Sequence, residues 1–208
     1  MAPAGGMSAN ASALAGAVLA GGESRRMGRD KARLRLRGET LAQRQVRVLR
    51  EAGAEPVVIV RRAEQRMSVR AVEQVCDEFV GAGPLAGVQA ALKAAAAAGA
   101  RWIAVLAVDM PAIEAAWFGD LRRACRKGKG AVVRHADGFE PLAAIYPINA
   151  LATAERRLRR GERSMQRFVA ALVRQRKMRV VALPEEERWR VANWNRPEDR
   201  DRERRKHA

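Results

Sequence analysis

The sequence lacks the features that mark membrane-spanning, exported and metal-cluster proteins. No apolar run approaches the roughly 20 residues that a membrane-spanning helix needs. The N-terminal stretch has neither a basic start nor a sustained apolar core, so it does not resemble a signal peptide. The two cysteines, Cys76 and Cys125, belong to no Cys-x-x-Cys pair and no cluster with histidine, which leaves a zinc site or a disulfide framework without support. These absences predict a cytoplasmic protein with no membrane partner.

Aromatic residues are also scarce, at 4% of the chain, whereas lysine and arginine are abundant. The formal net charge of +17 indicates an anionic partner such as a nucleic acid or a polyphosphate. Single-stranded nucleic acids usually bind on aromatic platforms, which this chain can hardly supply. A basic nucleic-acid-binding protein therefore stays only as an alternative from a different functional class.

One glycine-rich and arginine-rich stretch, LAGGESRRMGRDK at residues 19–31, directly follows an apolar run. Glycine permits close approach of a ligand to the backbone, and successive N–H groups in such a loop form a concavity that binds anions. The loop is neither a Walker A sequence nor a Gly-x-Gly-x-x-Gly sequence. It predicts a polyphosphate-binding loop after the first strand, and a solvated turn is the alternative.

Apolar strand patterns alternate with helical patterns along most of the chain, which predicts an α/β fold with a doubly wound, Rossmann-like and mostly parallel sheet. Thr40 is the predicted N-cap of the first helix, Pro84 opens another, and a third is expected over residues 112–127. The predicted strands cover residues 14–19, 57–60, 73–76, 102–108, 131–134, 142–146, 178–183 and 190–194. A terminal helix is expected to begin near Pro197.

Three polar features follow predicted parallel strands: the glycine-rich loop, Asp77 and Asp109. Ligands bind at the carboxyl ends of strands in such sheets, so these features are expected to meet at one edge. The Asp109 carboxylate has the hard oxygen that Mg²⁺ prefers. It is equally suited to cap a helix that begins near residue 112. The residues alone leave both interpretations open.

The stretch LAGGESRRMGRDKARLRLRGETL resembles the opening signature of the molybdenum cofactor guanylyltransferases and their nucleotidyltransferase relatives. Further similar motifs are Gly-Pro-Leu-Ala-Gly at 83–87, Asp-Met-Pro at 109–111 and Asn-Trp-Asn at 193–195. The resemblance implies a single nucleotidyltransferase domain over residues 14–199. A disordered lead-in is expected over residues 1–13 and a charged tail over residues 200–208, with Met1 and Met7 both open as the translation start.

The resemblance also implies roles for particular residues. Lys31 and Arg25 would act on the nucleotide phosphates, with help from Arg26, and Asp109 would hold both Mg²⁺ and the phosphates. Asp77 would lie at the nucleoside, and Asn193 and Asn195 near the pterin of the acceptor. The implied nucleotide-binding backbone consists of Leu19, Ala20, Gly21 and Gly22.

The implied activity is Mg²⁺-dependent transfer of GMP from GTP to molybdopterin cofactor, with release of pyrophosphate. Where the family often has an asparagine after the second strand, this chain has Val60 and Arg61, which keeps CTP open as the donor. A sugar phosphate acceptor and an inactive nucleotide sensor are further alternatives. The implied partners are GTP and molybdopterin cofactor, and the arginine excess suggests acidic molybdoenzymes or cofactor-delivery proteins.

Overall fold

The computed structural model describes residues 13–21, 31–65, 69, 71–79 and 81–194. Seven strands form one sheet in the order β5-β4-β1-β6-β8-β7-β9, and β2 pairs with β3 in a separate hairpin. In chain order the strands are β1 Leu14–Leu19, β2 Arg35–Leu36, β3 Glu39–Thr40, β4 Val57–Arg61, β5 Glu73–Cys76, β6 Trp102–Ala107, β7 Gly130–His135, β8 Gly138–Pro147 and β9 Met178–Ala182.

The sheet is mostly parallel. β1 pairs in parallel with β4 and β6, β4 with β5, and β7 with β9, whereas β8 runs antiparallel to both β6 and β7. The predicted fold class is therefore confirmed. The antiparallel strand follows directly from a tight turn after β7, because neighbouring strands joined by so short a connection must run in opposite directions.

Five α-helices cover the two faces of the sheet. They are α1 Leu41–Glu51, α2 Pro84–Ala97, α3 Ala115–Ala124, α4 Leu151–Arg159 and α5 Met165–Arg174. One apolar core contains side chains of α1 and α3, and the other contains side chains of α2, α4 and α5. None of these helices is long and apolar enough to cross a bilayer, within the part of the chain that the structure describes.

The central strands are buried on both faces, as their continuous apolar sequences require. All six residues of β6 and five of the six residues of β1 are buried. The predicted N-cap at Thr40 is confirmed, since its side chain accepts from Gln43 N while the Gln43 side chain accepts from Thr40 N. This reciprocal capping box starts α1 directly after the hairpin.

Two local predictions are wrong. The third helix is shorter than residues 112–127: it begins at Ala115 and ends at Ala124, because Cys125 takes an extended conformation. Residues 190–194 do not form a strand. Glu185–Val191 is a 3₁₀ helix, and its charged residues at successive turns contact one another rather than a sheet neighbour. The predicted helix at Pro197 lies outside the described residues.

Candidate active site

The carboxyl edge of the sheet places four polar or glycine positions next to one another across neighbouring strands. Leu19 is in register with Val60 and with Ala107, so Gly21, two residues later, lies level with Arg62 on one side and Asp109 on the other. Arg61 is in register with Cys76, so Arg62 lies level with Asp77. We call Asp77, Arg62, Gly21 and Asp109 the edge row. It spans three strand spacings, or about 14 Å, which suits an extended nucleotide.

Backbone contacts confirm that this pairing continues beyond the strands. Ala20 N donates to Val60 O over 2.9 Å, and Val108 N donates to Leu19 O over 3.1 Å. A Cβ atom added at Gly21 would lie 3.4 Å from Arg62 Cγ and 3.5 Å from Arg62 N. The glycine-rich loop therefore starts against the backbone that follows β4, as expected from the convergence of strand ends.

Asp109 and Lys31 form an ion pair at one end of the edge row. Lys31 Nζ donates to Asp109 Oδ2 over 2.8 Å, although the residues are far apart in sequence. Their side chains are 16% and 23% exposed, so the pair is shielded yet open to a ligand. Asp109 is not the N-cap of α3, because that position belongs to Glu114. The helix-cap interpretation of Asp109 is therefore excluded.

Gln45 of α1 holds the turn that carries Asp109. Its fully buried side chain donates from Nε2 to Met110 O over 2.8 Å and to Ala107 O over 3.3 Å. Arg44 donates to Gln45 Oε1 over 3.0 Å and to Ile113 O over 3.0 Å. The carbonyls on both sides of Asp109 are thus tied to one helix, which restricts how the carboxylate can move.

Asp77 and Arg62 occupy the far end of the edge row from Asp109. Burial raises the pKa of the Asp77 carboxyl, the charge of Glu64 raises it further, and the Arg62 guanidinium opposes both effects. The Arg61 side chain, by contrast, holds the following loop. It donates to Gln74 Oε1 and to the carbonyls of Arg62, Ala63 and Gln65. Gln65 Nε2 in turn donates to Ala20 O over 3.2 Å.

Glu140 lies on the other side of Asp109. Leu106 is in register with Ala143 of the antiparallel strand, so Asp109 lies level with Glu140. Burial raises the pKa of Glu140 to about 7, and the charge of Asp109 adds to this effect, while a hydrogen bond from Leu142 N lowers the pKa. That hydrogen bond is long, at 3.4 Å, and His135 Nε2 lies 4.0 Å from Glu140 Oε2.

The residues near the C-terminus reach the same place. Trp194 is buried, and its backbone N–H donates to Asp109 O over 2.8 Å. This bond brings the exposed Asn193, the preceding residue, beside the turn that carries Asp109. Asn193 therefore lies on the side of the edge row that is opposite to Asp77.

Several predicted site residues lie outside the described residues, namely Gly22, Arg25, Arg26 and Asn195. Leu19, Ala20, Gly21, Lys31, Asp77, Asp109 and Asn193 are described, and all of them lie at the carboxyl edge of the sheet. Their convergence agrees with the prediction from the order of strands and loops.

The donor set at Asp109 fits a hard divalent cation. Among the described residues, no group of three or more histidine, cysteine, aspartate or glutamate side chains could enclose a metal ion. Mg²⁺ does not need such a cage, because it keeps several waters and binds one or two carboxylates together with substrate phosphates. Asp109, with Glu140 on the neighbouring strand, is suited to that arrangement and not to a structural zinc site.

Comparison with known proteins shows the family of this chain. The MobA-like NTP transferase domain matches residues 16–178. The chain belongs to this family. It is 41% identical over 161 residues to a protein of Mycobacterium tuberculosis named probable molybdenum cofactor guanylyltransferase, a match that covers 76% of this chain and 80% of the relative.

Solved structures of this nucleotidyltransferase fold agree. The molybdopterin-guanine dinucleotide biosynthesis protein A of Archaeoglobus fulgidus is 28% identical, with a TM-score of 0.65 over 90% of this chain and 95% of that one. The 2-C-methyl-D-erythritol 4-phosphate cytidylyltransferase of Thermus thermophilus is 14% identical, with a TM-score of 0.66 over 89% of this chain and 94% of that one. At that identity the second likeness shows the fold alone.

Two residues at the site were missed from the sequence. Gln45 interrupts the apolar stripe of α1 between Leu41 and Val48, and a glutamine in that position is a signal for a buried polar contact. Glu140 lies near the start of β8 and gave no comparable signal, because its neighbour Asp109 comes from a distant part of the chain.

Proposed function

We propose that this protein transfers GMP from GTP to the terminal phosphate of molybdopterin cofactor and releases pyrophosphate. The observation that carries the proposal is the edge row, with the Lys31–Asp109 pair at one end and Asp77 at the other. In this proposal the nucleobase lies at Asp77, the phosphates run along the backbone of Gly21, and Lys31 and Asp109 contact the phosphate charge. Membership in the family supports nucleotidyl transfer, and the names of the relatives favour the guanylyl reaction.

The mechanism is positioning together with charge stabilisation. The attacking oxygen belongs to a phosphate that is already ionised at neutral pH, so the reaction needs no strong general base. The backbone at Ala20, Gly21 and Gly22 holds the donor phosphates, and Lys31 follows the charge that moves onto the departing pyrophosphate. Arg25 is proposed to assist Lys31 there. In-line alignment of acceptor and donor supplies the remaining acceleration.

Asp109 is the residue proposed to hold Mg²⁺, which offsets phosphate charge when it is bound. Its carboxylate accepts a hydrogen bond from Lys31. Nucleotide binding exchanges this pair for two new contacts, because the ammonium group moves to a phosphate and the carboxylate becomes available to the cation. Gln45 keeps the carboxylate in place during that exchange.

The acceptor is proposed to bind on the side of Asp109 opposite to the nucleoside. Asn193 lies there, with Asn195 two residues further along the chain. Amide side chains both donate and accept hydrogen bonds, as the mixed edge of a pterin requires. The buried carboxyl group of Glu140 lies on the same side of Asp109.

Calorimetry with GTP, CTP, ATP and UTP, with and without Mg²⁺, tests the proposal. Selective GTP binding that requires the metal is the expected result. Asp109→Asn should abolish the metal dependence, and in a pyrophosphate-release assay it should lower the rate by about 10²–10³, the usual cost of losing one such electrostatic partner. Selective CTP binding would move the protein to cytidylyl transfer. Near-normal turnover of the folded Asp109→Asn variant would contradict the site.

An acidic molybdoenzyme is the proposed recipient of the product. The surface formed by α4, α5 and β9, which we call the basic face, carries many more cations than anions. Its two acidic side chains, Glu155 and Glu162, are already paired with Arg159 and Arg157. Its basic residues are Arg156, Arg157, Arg159, Arg160, Arg163, Arg167, Arg174, Arg176, Lys177 and Arg179. The excess of positive charge suits an acidic protein surface.

The compartment proposed for this reaction is the cytoplasm. Both Cys76 and Cys125 are free thiols, and the exposed position of Cys76 fits a reducing environment.

A further inference from the structure

Arg62 occupies a position in the edge row to which neither its sequence context nor the family resemblance gives a role. It follows β4, where the family often has an asparagine nearby, and it lies between Gly21 and Asp77 in the register of the sheet. Its aliphatic stem runs along Gly21, since an added Cβ there would lie 3.4 Å from Arg62 Cγ. The stem is thereby held against the start of the glycine-rich loop, with Asp77 level with Arg62 on the next strand.

The guanidinium group of Arg62 is only partly satisfied. Its Nε is buried and has no hydrogen-bond partner within the described ranges. Glu64 approaches Nε to 3.4 Å as an ion-pair partner, without the geometry of a hydrogen bond. The side chain as a whole is 39% exposed. Buried guanidinium nitrogens normally have partners, so this one is arranged for a group that a ligand brings.

Asp77, its neighbour in the row, has the complementary chemistry. Its carboxylate only accepts hydrogen bonds when ionised, whereas the Arg62 guanidinium only donates. The two residues lie level on neighbouring strands, since Arg61 is in register with Cys76 and Asp77 N donates to Arg61 O over 3.4 Å. The Arg62 guanidinium and the Asp77 carboxylate, about one strand spacing apart, can each bind two atoms on adjacent parts of the edge of a planar ring.

Guanine is the nucleobase that matches this pair. Its N7 and O6 are adjacent acceptors, and bidentate contact with arginine is the commonest specific contact to guanine. The neighbouring N1–H and 2-amino groups are two adjacent donors for a carboxylate. Cytosine offers a carboxylate one donor, its 4-amino group, next to the lone pair of N3. Adenine presents a donor between two acceptors, so neither Arg62 nor Asp77 could make two hydrogen bonds to it.

We infer that Arg62 is a specificity-determining residue that reads the N7/O6 edge of the guanine of GTP, while Asp77 accepts from its N1–H and 2-amino groups. This inference rests on the proposed function, because it assumes that the nucleoside lies at this end of the edge row. It assigns the choice of GTP over CTP to a side chain of this protein.

Nucleotide analogues can separate the two contacts in a calorimetric test on the full chain with Mg²⁺. The ligands are GTP, CTP, 7-deaza-GTP, which lacks the N7 acceptor, and ITP, which lacks the 2-amino group. The proteins are the parent chain, Arg62→Ala, Arg62→Lys and the matched control Arg123→Ala. Arg123 is an exposed arginine of α3 that pairs with Asp120 on its own helix.

We expect Arg62→Ala to weaken GTP binding about tenfold or more, the usual size of a bidentate contact to guanine, and to change CTP binding less than about twofold. The variant should distinguish GTP from 7-deaza-GTP poorly, while its preference for GTP over ITP persists. Arg62→Lys keeps the charge and loses the fork, so it should also lose most of the preference for GTP over CTP. The Arg123→Ala control should match the parent chain.

Two results would overturn the inference and leave the proposed function standing. One is an equal loss of GTP and CTP affinity in Arg62→Ala, which would place the guanidinium at a phosphate or the ribose. The other is unchanged GTP binding in both Arg62 variants with folding verified by circular dichroism. Failure of the parent chain to bind any nucleotide would overturn the inference and the proposed function together.

Discussion

At the scale of single residues, the site combines groups whose properties depend on neighbours that are distant in sequence. Lys31 and Asp109 are separated by 78 positions and yet share a hydrogen bond of 2.8 Å. Asp109 and Glu140 are brought level by an antiparallel strand pair. Because Glu140 is removed from water and lies in the field of Asp109, its ionisation cannot be read from residue type alone.

Glu140 makes the stability of the protein dependent on pH. Its pKa is about 7 in the folded protein, against an ordinary value of 4.5, so folding favours the protonated carboxyl group. The stabilising effect is fully present below about pH 4.5 and is lost as the pH rises through about 7. Glu140→Gln cannot ionise. In Mg²⁺-free buffer it should exceed the parent chain in free energy of unfolding at pH 8 by up to about 3 kcal/mol, with little difference at pH 5.

Denaturant unfolding at a series of pH values measures this difference. Asp109 and His135 face Glu140, so the comparison is made between variants at each pH. Glu51→Gln, an exposed change on α1, is the control and should give the same difference at pH 5 and pH 8. Parallel curves for Glu140→Gln and the parent chain would mean that the carboxyl group is ionised in the folded protein.

At the scale of secondary structure elements, α1 is coupled to the active edge through Gln45. The helix is started by a capping box at Thr40 and packs most of its apolar residues against the sheet. Gln45 uses the same buried face to bind Ala107 O and Met110 O, the carbonyls around Asp109. One helix therefore supports both the core and the position of the proposed metal ligand.

Replacement of Gln45 should affect stability and turnover together. In Gln45→Leu the two carbonyls lose a buried donor, which should lower the free energy of unfolding by about 1–3 kcal/mol. Turnover at saturating GTP should also fall, because the turn carrying Asp109 becomes less restricted. Thr40→Ala removes the N-cap instead and should cost about 0.5–2 kcal/mol without an effect on turnover. Equal turnover of the two folded variants would remove the positioning role of Gln45.

At the scale of the whole molecule, the cations that give the net charge of +17 serve different purposes in different regions. Some arginines organise loops, as Arg61 does with its four acceptors. Among the residues that the structure describes, most cations of the basic face make no side-chain hydrogen bond or ion pair of this kind. Long-range electrostatics of this kind affects association with partners more than it affects the fold.

Charge reversal on the basic face should weaken product transfer and leave catalysis intact. The test variant carries Arg156→Glu, Arg160→Glu and Arg167→Glu, and the control carries Arg123→Glu, Lys127→Glu and Lys129→Glu, with the same net charge. Capture of an acidic apo-molybdoenzyme in low salt should drop at least about tenfold for the test variant only, with unchanged pyrophosphate release in both. Equal loss in both variants would indicate nonspecific attraction. Competition by RNA at the same face would favour the nucleic-acid alternative.

The fold class, most strand positions and the edge on which Asp77 and Asp109 lie could all be predicted from the sequence. These follow from apolar periodicity and from turn residues, which act over short stretches of chain. The sequence-based prediction was wrong at the ends of α3 and at residues 190–194, where the chain leaves the 3₁₀ helix Glu185–Val191 and forms no strand.

Which side chains become neighbours depends on the three-dimensional arrangement of the strands. The order β5-β4-β1-β6-β8 places Asp77, Arg62, Gly21, Asp109 and Glu140 side by side. Strand order and register depend on how the two cores pack against the sheet, and no local pattern encodes them. The pairing of Lys31 with Asp109, the buried contacts of Gln45 and the raised pKa of Glu140 all arise at that level.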